Sequence, residues 1–309
     1  MSTVSETTTP AARATRRASR RRSGGAPWLW VVPAVVVVLA LRYVATGAGA
    51  WYAFTDWDGI STHARFVGLD NFREILRDSA SRGALEHTLE LAFAFVVVAN
   101  VIGLALALAL NRTVKTRGLL RALFFAPVVM SSLAVSYIWQ FIFSYSGPLN
   151  GGLGKVGLDS LKRGWTGDPR WALWTIFIVL VWQFVGLSMV MYLAGLQGIP
   201  EELDEASAVD GASTWRRFRK ITLPLLAPAI TVSVTLSTIY GLGVFDQVFA
   251  LTGGGPVDAS ETLATQIYKQ TFAFGRFGYG TAVSLILTVL ITVLALAQLA
   301  ILRVRESRL

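Results

Sequence analysis

Six long apolar runs divide this chain, and about 20 apolar residues are what an α-helix needs to cross the hydrocarbon core of a bilayer. They cover roughly Trp28–Ala50, Leu89–Leu110, Leu119–Phe143, Trp171–Leu193, Leu225–Ala250 and Thr281–Leu302. A backbone in lipid must satisfy its N–H and C=O groups internally, so runs of this length read as helices. Composition agrees. Of 309 residues, 53% are hydrophobic and 15% charged, against about 25% charged in an average soluble domain. The expected fold class is an all-α polytopic membrane protein with six transmembrane helices.

The basic residues orient these spans, because Lys and Arg collect on the cytoplasmic side. Residues 1–26 are rich in Ser, Thr, Ala and Arg, with Arg13, Arg16, Arg17, Arg20, Arg21 and Arg22 clustered. They read as a disordered basic cytoplasmic tail. Such a tail before an apolar run imitates a signal peptide. The run is long, however, and has no clear small-residue cleavage pattern, Gly47–Ala50 being the one ambiguous stretch. The link between the second and third spans carries Arg112, Lys115 and Arg117. The link between the fourth and fifth carries Arg216, Arg217, Arg219 and Lys220, and the C-terminal tail Arg303, Arg305 and Arg308. With six spans, all four segments fall on one side. The first opposite loop mixes Asp56, Asp58, Asp70, Glu74 and Asp78 with Arg65, Arg73, Arg77 and Arg82. Both termini are therefore expected in the cytoplasm, with residues 27–309 as the membrane domain. Arg42, well inside the first span, is expected to snorkel toward the interface, a substrate-facing role being the alternative.

Ile199 to Pro228 is a charged, helix-forming island between two apolar runs. About 30 residues cannot build a core of their own, so the island needs something to pack against. Pro200 favours a helix start, with Glu201, Glu202 and Asp204 in the first turn. Asp210-Gly211 signals a turn, and Ser213 or Thr214 can cap a second short helix that ends in basic residues. Glu205, Ala206 and Ser207 are followed by three residues and Gly211, then by Ala212 and eight more to Ile221, Leu223 and Pro224. This spacing resembles the EAA motif of binding-protein-dependent ABC importer permeases, with Ser207 where the family prefers alanine. The resemblance implies that about 199–224 is a cytoplasmic loop coupling the spans to an ATPase. The plainer alternative is an ordinary amphipathic loop helix.

From Pro27 to Leu302 the chain is similar to the sugar-type, maltose-permease-like branch of that family. The matching pieces include Phe54-Thr55-Asp56-Trp57-Asp58-Gly59, Phe66 to Phe72, Arg121 to Pro127, Leu193 to Pro200, Val244-Phe245-Asp246 and Leu251 to Pro256. One departure is Tyr43-Val44, where the family carries a Tyr-Pro pair. The resemblance implies a type I ABC importer permease fold and a subunit forming half of a sugar or oligosaccharide pathway. Its implied partners are a second permease subunit, ATP-binding cassette subunits that use ATP and Mg, an extracytoplasmic sugar-binding protein and membrane lipid. Pro127 is expected to kink the third span. Gly253-Gly254-Gly255-Pro256 reads as a loop, either a flexible external one or a plain helix stop.

No chemistry of the chain's own is visible. There is no G-x-x-x-x-G-K-[ST] pattern for ATP and no cysteine. His63 and His87 are too few for a His-based metal centre and read as solvated surface residues. The chain is therefore expected to have no catalytic residue, no metal, no cofactor of its own and no nucleic-acid partner. Polar groups within spans usually face the protein interior or a water-filled path. Trp139, Gln140, Gln183, Tyr240 and Asp246 are the candidate pathway residues, each with helix packing or interfacial anchoring as the alternative. Gln183 in particular is expected to touch sugar or the partner permease. The rival function is an ion-coupled secondary transporter, for which Asp246 is the one good acid candidate; a membrane enzyme lacks any visible constellation.

Overall fold

A computed structural model describes residues 28–111 and 115–306. The basic N-terminal tail, Arg112 and Arg308 lie outside the described residues. The described residues fall into two units, one up to Gly47 and the other from Ala48 onward.

The first unit holds α1 (Trp28–Val38) and a π-helical turn, Leu39–Val44; the boundary at Gly47 falls within α2 (Ala45–Tyr52). Thr46 donates its hydroxyl back to the Arg42 carbonyl at 2.6 Å. That bond satisfies a backbone acceptor at the widened turn.

The second unit is helical. A single isolated bridge, between Thr55 and Phe66, closes the loop that follows α2. Its helices are α3 (Asp70–Arg77), α4 (Ser79–Leu110), α5 (Arg117–Val129), α6 (Ser132–Phe143), α7 (Pro148–Lys155) and α8 (Ala172–Gln197). Then come α9 (Glu201–Val209), α10 (Thr214–Arg217), α11 (Leu223–Leu225), α12 (Ala227–Leu242), α13 (Asp246–Leu251), α14 (Leu263–Tyr268) and α15 (Phe277–Glu306). Among the described residues, the runs Trp30–Tyr52, Ser79–Leu110, Ala172–Gln197 and Phe277–Val304 are long and apolar enough to cross a membrane. Two bent pairs bring the number to as many as six. The chain is a multi-pass membrane protein, all-α in class.

The third span bends, as Pro127 led one to expect, but as a full break, and the fifth is not the continuous helix expected. The third bends by 99° between Arg117–Val129 and Ser132–Lys155. Pro127 lies inside α5, and the break falls just beyond it at Met130, in extended conformation, and Ser131, also outside the helical region. The fifth bends by 69° at Leu226 and is interrupted again at Gly243–Phe245, before α13. The second span begins ten residues earlier than hydropathy suggests, at Ser79 rather than Leu89. Asp78 caps it by accepting from the backbone N–H groups of Ala80 and Ser81.

Lipid tails are as apolar as leucine, so helices in a bilayer associate through close packing at small residues and through polar contacts. Both are present. A Cβ on Gly103 of α4 would lie 2.6 Å from Ser188 Cβ of α8, and one on Gly186 would strike the Phe124 carbonyl of α5. At Gly241 the Cα of Ala92 would be 3.1 Å away. Larger residues at these points would push α4, α5, α8 and α12 apart. Three apolar clusters result. One, near the 199–224 loop, holds Leu110, Met189, Leu193 and Leu226. A second joins α4, α6, α8 and α13 through Phe95, Val135, Val179 and Val248. The third, at the opposite end, joins α3, α4, α14 and α15 through Ile75, Ala84, Leu263 and Val283. Around them, Phe93, Val101, Leu296 and Ile301 stand exposed, as residues facing lipid do.

Candidate functional site

The charged loop folds as helix, turn, helix. α9 begins directly after Pro200, whose carbonyl accepts from the Leu203 N–H at 3.3 Å. It ends at Asp210-Gly211. The Asp210 N–H bonds to Ala206 O and the Ala212 N–H to Ser207 O, both at 3.0 Å, while Gly211 takes φ of +74°. A left-handed residue closing a helix C-terminus in this way is the usual place for glycine. The Ser213 hydroxyl then accepts from the Arg216 N–H and caps α10. After a π-helical stretch, Phe218–Thr222, Leu223 and Pro224 open α11.

The motif residues divide by burial. Glu205, Ala206, Asp210 and Gly211 are exposed, Ser207 is buried, and Ala212, Ile221, Leu223 and Pro224 are half-buried. Val209 and Trp215 project from the same element, 89% and 68% exposed. Both bulky apolar side chains stand beside exposed Glu205 and Asp210. The element is fixed at both ends. Leu196 and Ile199, before it, and Leu226, after it, pack in the single apolar cluster that also contains Ala107, Met189 and Leu193 of α4 and α8. A displacement of the loop therefore bears on the spans on either side of it.

The pathway candidates differ in exposure. Tyr240 is 51% exposed and stacks on Phe184 with ring centroids 5.5 Å apart. Gln140 and Asp246 are also exposed, and Trp139 is half-buried, edge-on to Trp182 at 5.4 Å. Gln183 differs. It is 1% exposed, and both atoms of its amide are bonded within the chain. In this conformation it faces neither an open path nor a neighbouring subunit, because an amide in a span takes the nearest internal partners.

Two constellations lay outside the sequence reading. Asn100 joins three helices. Its Oδ1 accepts from Tyr192 and Ser233, each at 2.7 Å, and its Nδ2 donates to Val96 O at 2.7 Å and to Ser237 Oγ at 3.2 Å. Its hydroxyl partners are ordinary residues in apolar runs, which carry no signal of their own in the sequence. The other lies at the far end from the loop. Lys269 bridges Asp258 at 2.8 Å and Glu261 at 3.2 Å, and the Glu261 carbonyl lies 3.1 Å from His87 Nδ1. His87 is thus half-buried and bonded, not a solvated residue; His63 is exposed. Burial, helped by the Asp258 side chain, pushes the Glu261 carboxyl up to about 7 against the pull of Lys269. This group borders a polar cleft of about 950 Å3 between α3 and the 258–276 segment, where Arg276 also pairs with Glu74 at 2.6 Å.

Comparison with known proteins bears on the whole arrangement. Residues 99–305 match the family described as binding-protein-dependent transport system inner membrane component. The chain is 35% identical over 272 residues to the multiple sugar-binding transport system permease protein MsmF of Streptococcus mutans serotype c, covering 88% of this chain and 93% of the relative. It is 33% identical over 281 residues to the trehalose/maltose transport system permease protein MalF of Thermococcus litoralis, covering 91% and 94%. Its fold is similar to a chain of a bacterial ABC transporter involved in import of the acidic polysaccharide alginate. That match has a TM-score of 0.79 at 23% identity and covers 90% of this chain and 96% of that one. The EAA-like loop, the broken spans and these matches converge: this chain belongs to the family of inner-membrane permease components of binding-protein-dependent transport systems.

Proposed function

We propose that this chain is one of two permease subunits of an ATP-driven importer for a sugar or oligosaccharide, and that it forms half of the translocation pathway. The observation that carries the reading is the loop around Gly211. It presents Val209, Trp215 and acidic residues outward while both of its ends are built into one apolar cluster of the spans. A subunit docked on that surface can push or pull α8 and α12 together. In this reading the docked subunits are ATP-binding cassette proteins, which use ATP and Mg, while this chain performs no catalysis and holds no cofactor. A sugar-binding protein delivers cargo at the opposite end, and both termini lie in the cytoplasm. Gln140, Tyr240 and Asp246 are the pathway residues that stand open to a ligand, with Trp139 beside them.

The sugar assignment draws on relatives whose names specify multiple sugars and trehalose or maltose. An ion-coupled carrier fits less well. It needs acids buried within the membrane, and among the described residues the buried acid is Glu261, in the loop before α14. Purification through a tag on this chain tests the proposal. Recovery of a second permease, an ATPase and a sugar-bound protein is the expected result. A homogeneous preparation of this chain alone that still transports would overturn it.

A further inference from the structure

We propose that Gln183 is a positioning residue that ties the far halves of the two broken spans to α8, so that they move with the loop end of the bundle. The inference rests on the transport reading and goes one step beyond it.

Breaking a helix in a membrane frees backbone groups that water cannot satisfy. At the break in the third span, the Met130 carbonyl has left the α5 ladder. The Gln183 Nε2 donates to it at 3.3 Å and to Ser132 Oγ, at the start of α6, at 3.4 Å. The Gln183 Oε1 accepts from Gln247 Nε2 at 2.9 Å. Gln247 is buried in the first turn of α13, directly after the break at Gly243–Phe245. One amide on an unbroken helix thus holds both broken spans beyond their breaks. Gln140 Nε2 adds a link from α6 to α13 by donating to Ala250 O at 3.3 Å. Val135 and Phe143 of α6 share an apolar cluster with Val248 and Leu251 of α13.

The consequence is mechanical. In this reading the loop moves the near ends of α8 and α12, but α6 and α13 lie past breaks in the helical hydrogen-bond ladder. They follow only if something beyond the breaks attaches them to a continuous helix. α8 is that helix, and Gln183 is the polar attachment. The apolar cluster also packs α6 and α13 against α8, but without the directional bonds of Gln183 they can slip on it, and part of the motion produced by ATP at the loop is lost at the breaks.

The test uses the complete importer in proteoliposomes, with sugar uptake and ATP hydrolysis measured in the same vesicles. In Gln183→Met and Gln247→Met the sugar moved per ATP is expected to fall roughly tenfold, within the usual range of coupling between distant sites. The sugar concentration for half-maximal uptake should stay at the native value. The double variant should be no worse than Gln183→Met, since both changes break one brace. A shifted half-maximal concentration, a changed ranking among sugars, multiplied effects in the double variant, or native sugar moved per ATP would each overturn the proposal. Gln247→Met leaves the Met130 bond in place and serves if Gln183→Met fails to assemble. A second readout does not depend on transport. The chain has no cysteine, so Ser136→Cys places a lone thiol at a buried position of α6, about one turn past the break. Its alkylation in native membranes should quicken several-fold when Gln183→Met is added, and an unchanged rate contradicts the brace. A native complex that moves no sugar counts against the transport reading, while the alkylation rate still decides the brace.

Discussion

Tyr192 of α8 donates its hydroxyl to Asn100 Oδ1 of α4 across 2.7 Å, and both residues are buried. Ser233 of α12 donates to the same oxygen. The helix that enters the charged loop and the helix that leaves it are thereby joined to a third helix through one side chain. Interhelical hydrogen bonds in membranes contribute about 0.6 kcal/mol each on average. Tyr192→Phe should therefore cost about 1 kcal/mol or less. Asn100→Leu removes every bond and orphans two hydroxyls, and should cost about 2 kcal/mol or more. Unfolding of the purified protein in a denaturing detergent series checks the order. Equal stability of Asn100→Leu and the native chain would contradict it.

Gly211 tests the turn. Its φ of +74° lies in the left-handed region, yet a Cβ there would meet nothing within 4 Å. The constraint is backbone conformation rather than space. Asn tolerates this region and Val does not. Gly211→Asn should retain most uptake, whereas Gly211→Val should lose it while still inserting. Equal loss in both would point instead to a steric limit set by the docked subunit.

Glu261 gives a pH dependence with a definite sign. Its carboxyl is raised from 4.5 to about 7. The folded protein therefore binds more protons than the unfolded chain between those values, and stability falls as pH rises through this window. Asp258 is held below its ordinary value by Lys269, so it acts below the window. Lys269 is raised by its two carboxylate partners, against the effect of burial, and acts above it. The native protein should melt higher at pH 5 than at pH 8, and Glu261→Gln should flatten the difference. A native melting temperature that rises with pH across this range would refute the assignment.

Single cysteines test the pathway reading. Gln140→Cys and Tyr240→Cys replace exposed residues and should react with a hydrophilic thiol reagent in membranes. Gln183→Cys, at a buried position, should react far more slowly. Protection of the first two by cargo would place them on the path, and equal reaction at all three would remove the distinction between lining and bracing residues.

The sequence made the spans legible because hydropathy registers length and apolarity, which the bilayer demands in every helix. The loop was legible for a similar reason. Pro200, Gly211 and Ser213 act on their own backbone, and each stands where the structure puts a helix start, a left-handed turn and a cap. The breaks were only half legible. Pro127 announced a bend in the third span, but the break at Gly243–Phe245 carries no proline and is marked in the sequence by Gly243 alone. The partners of Gln183 and Asn100 were not legible at all. Hydrogen bonds across 53, 64, 92 or 133 residues of chain leave no local pattern. A polar residue in a span shows that a partner exists and not which one.

The energy source tests the account most directly. Proteoliposomes holding this chain, a second permease and the ATPase, supplied with the sugar-binding protein, should accumulate sugar only with ATP enclosed on the loop side. Collapse of proton and sodium gradients should leave the rate unchanged, and Glu205→Lys should abolish it. Uptake that proceeds without ATP and disappears with the ion gradient would contradict the account.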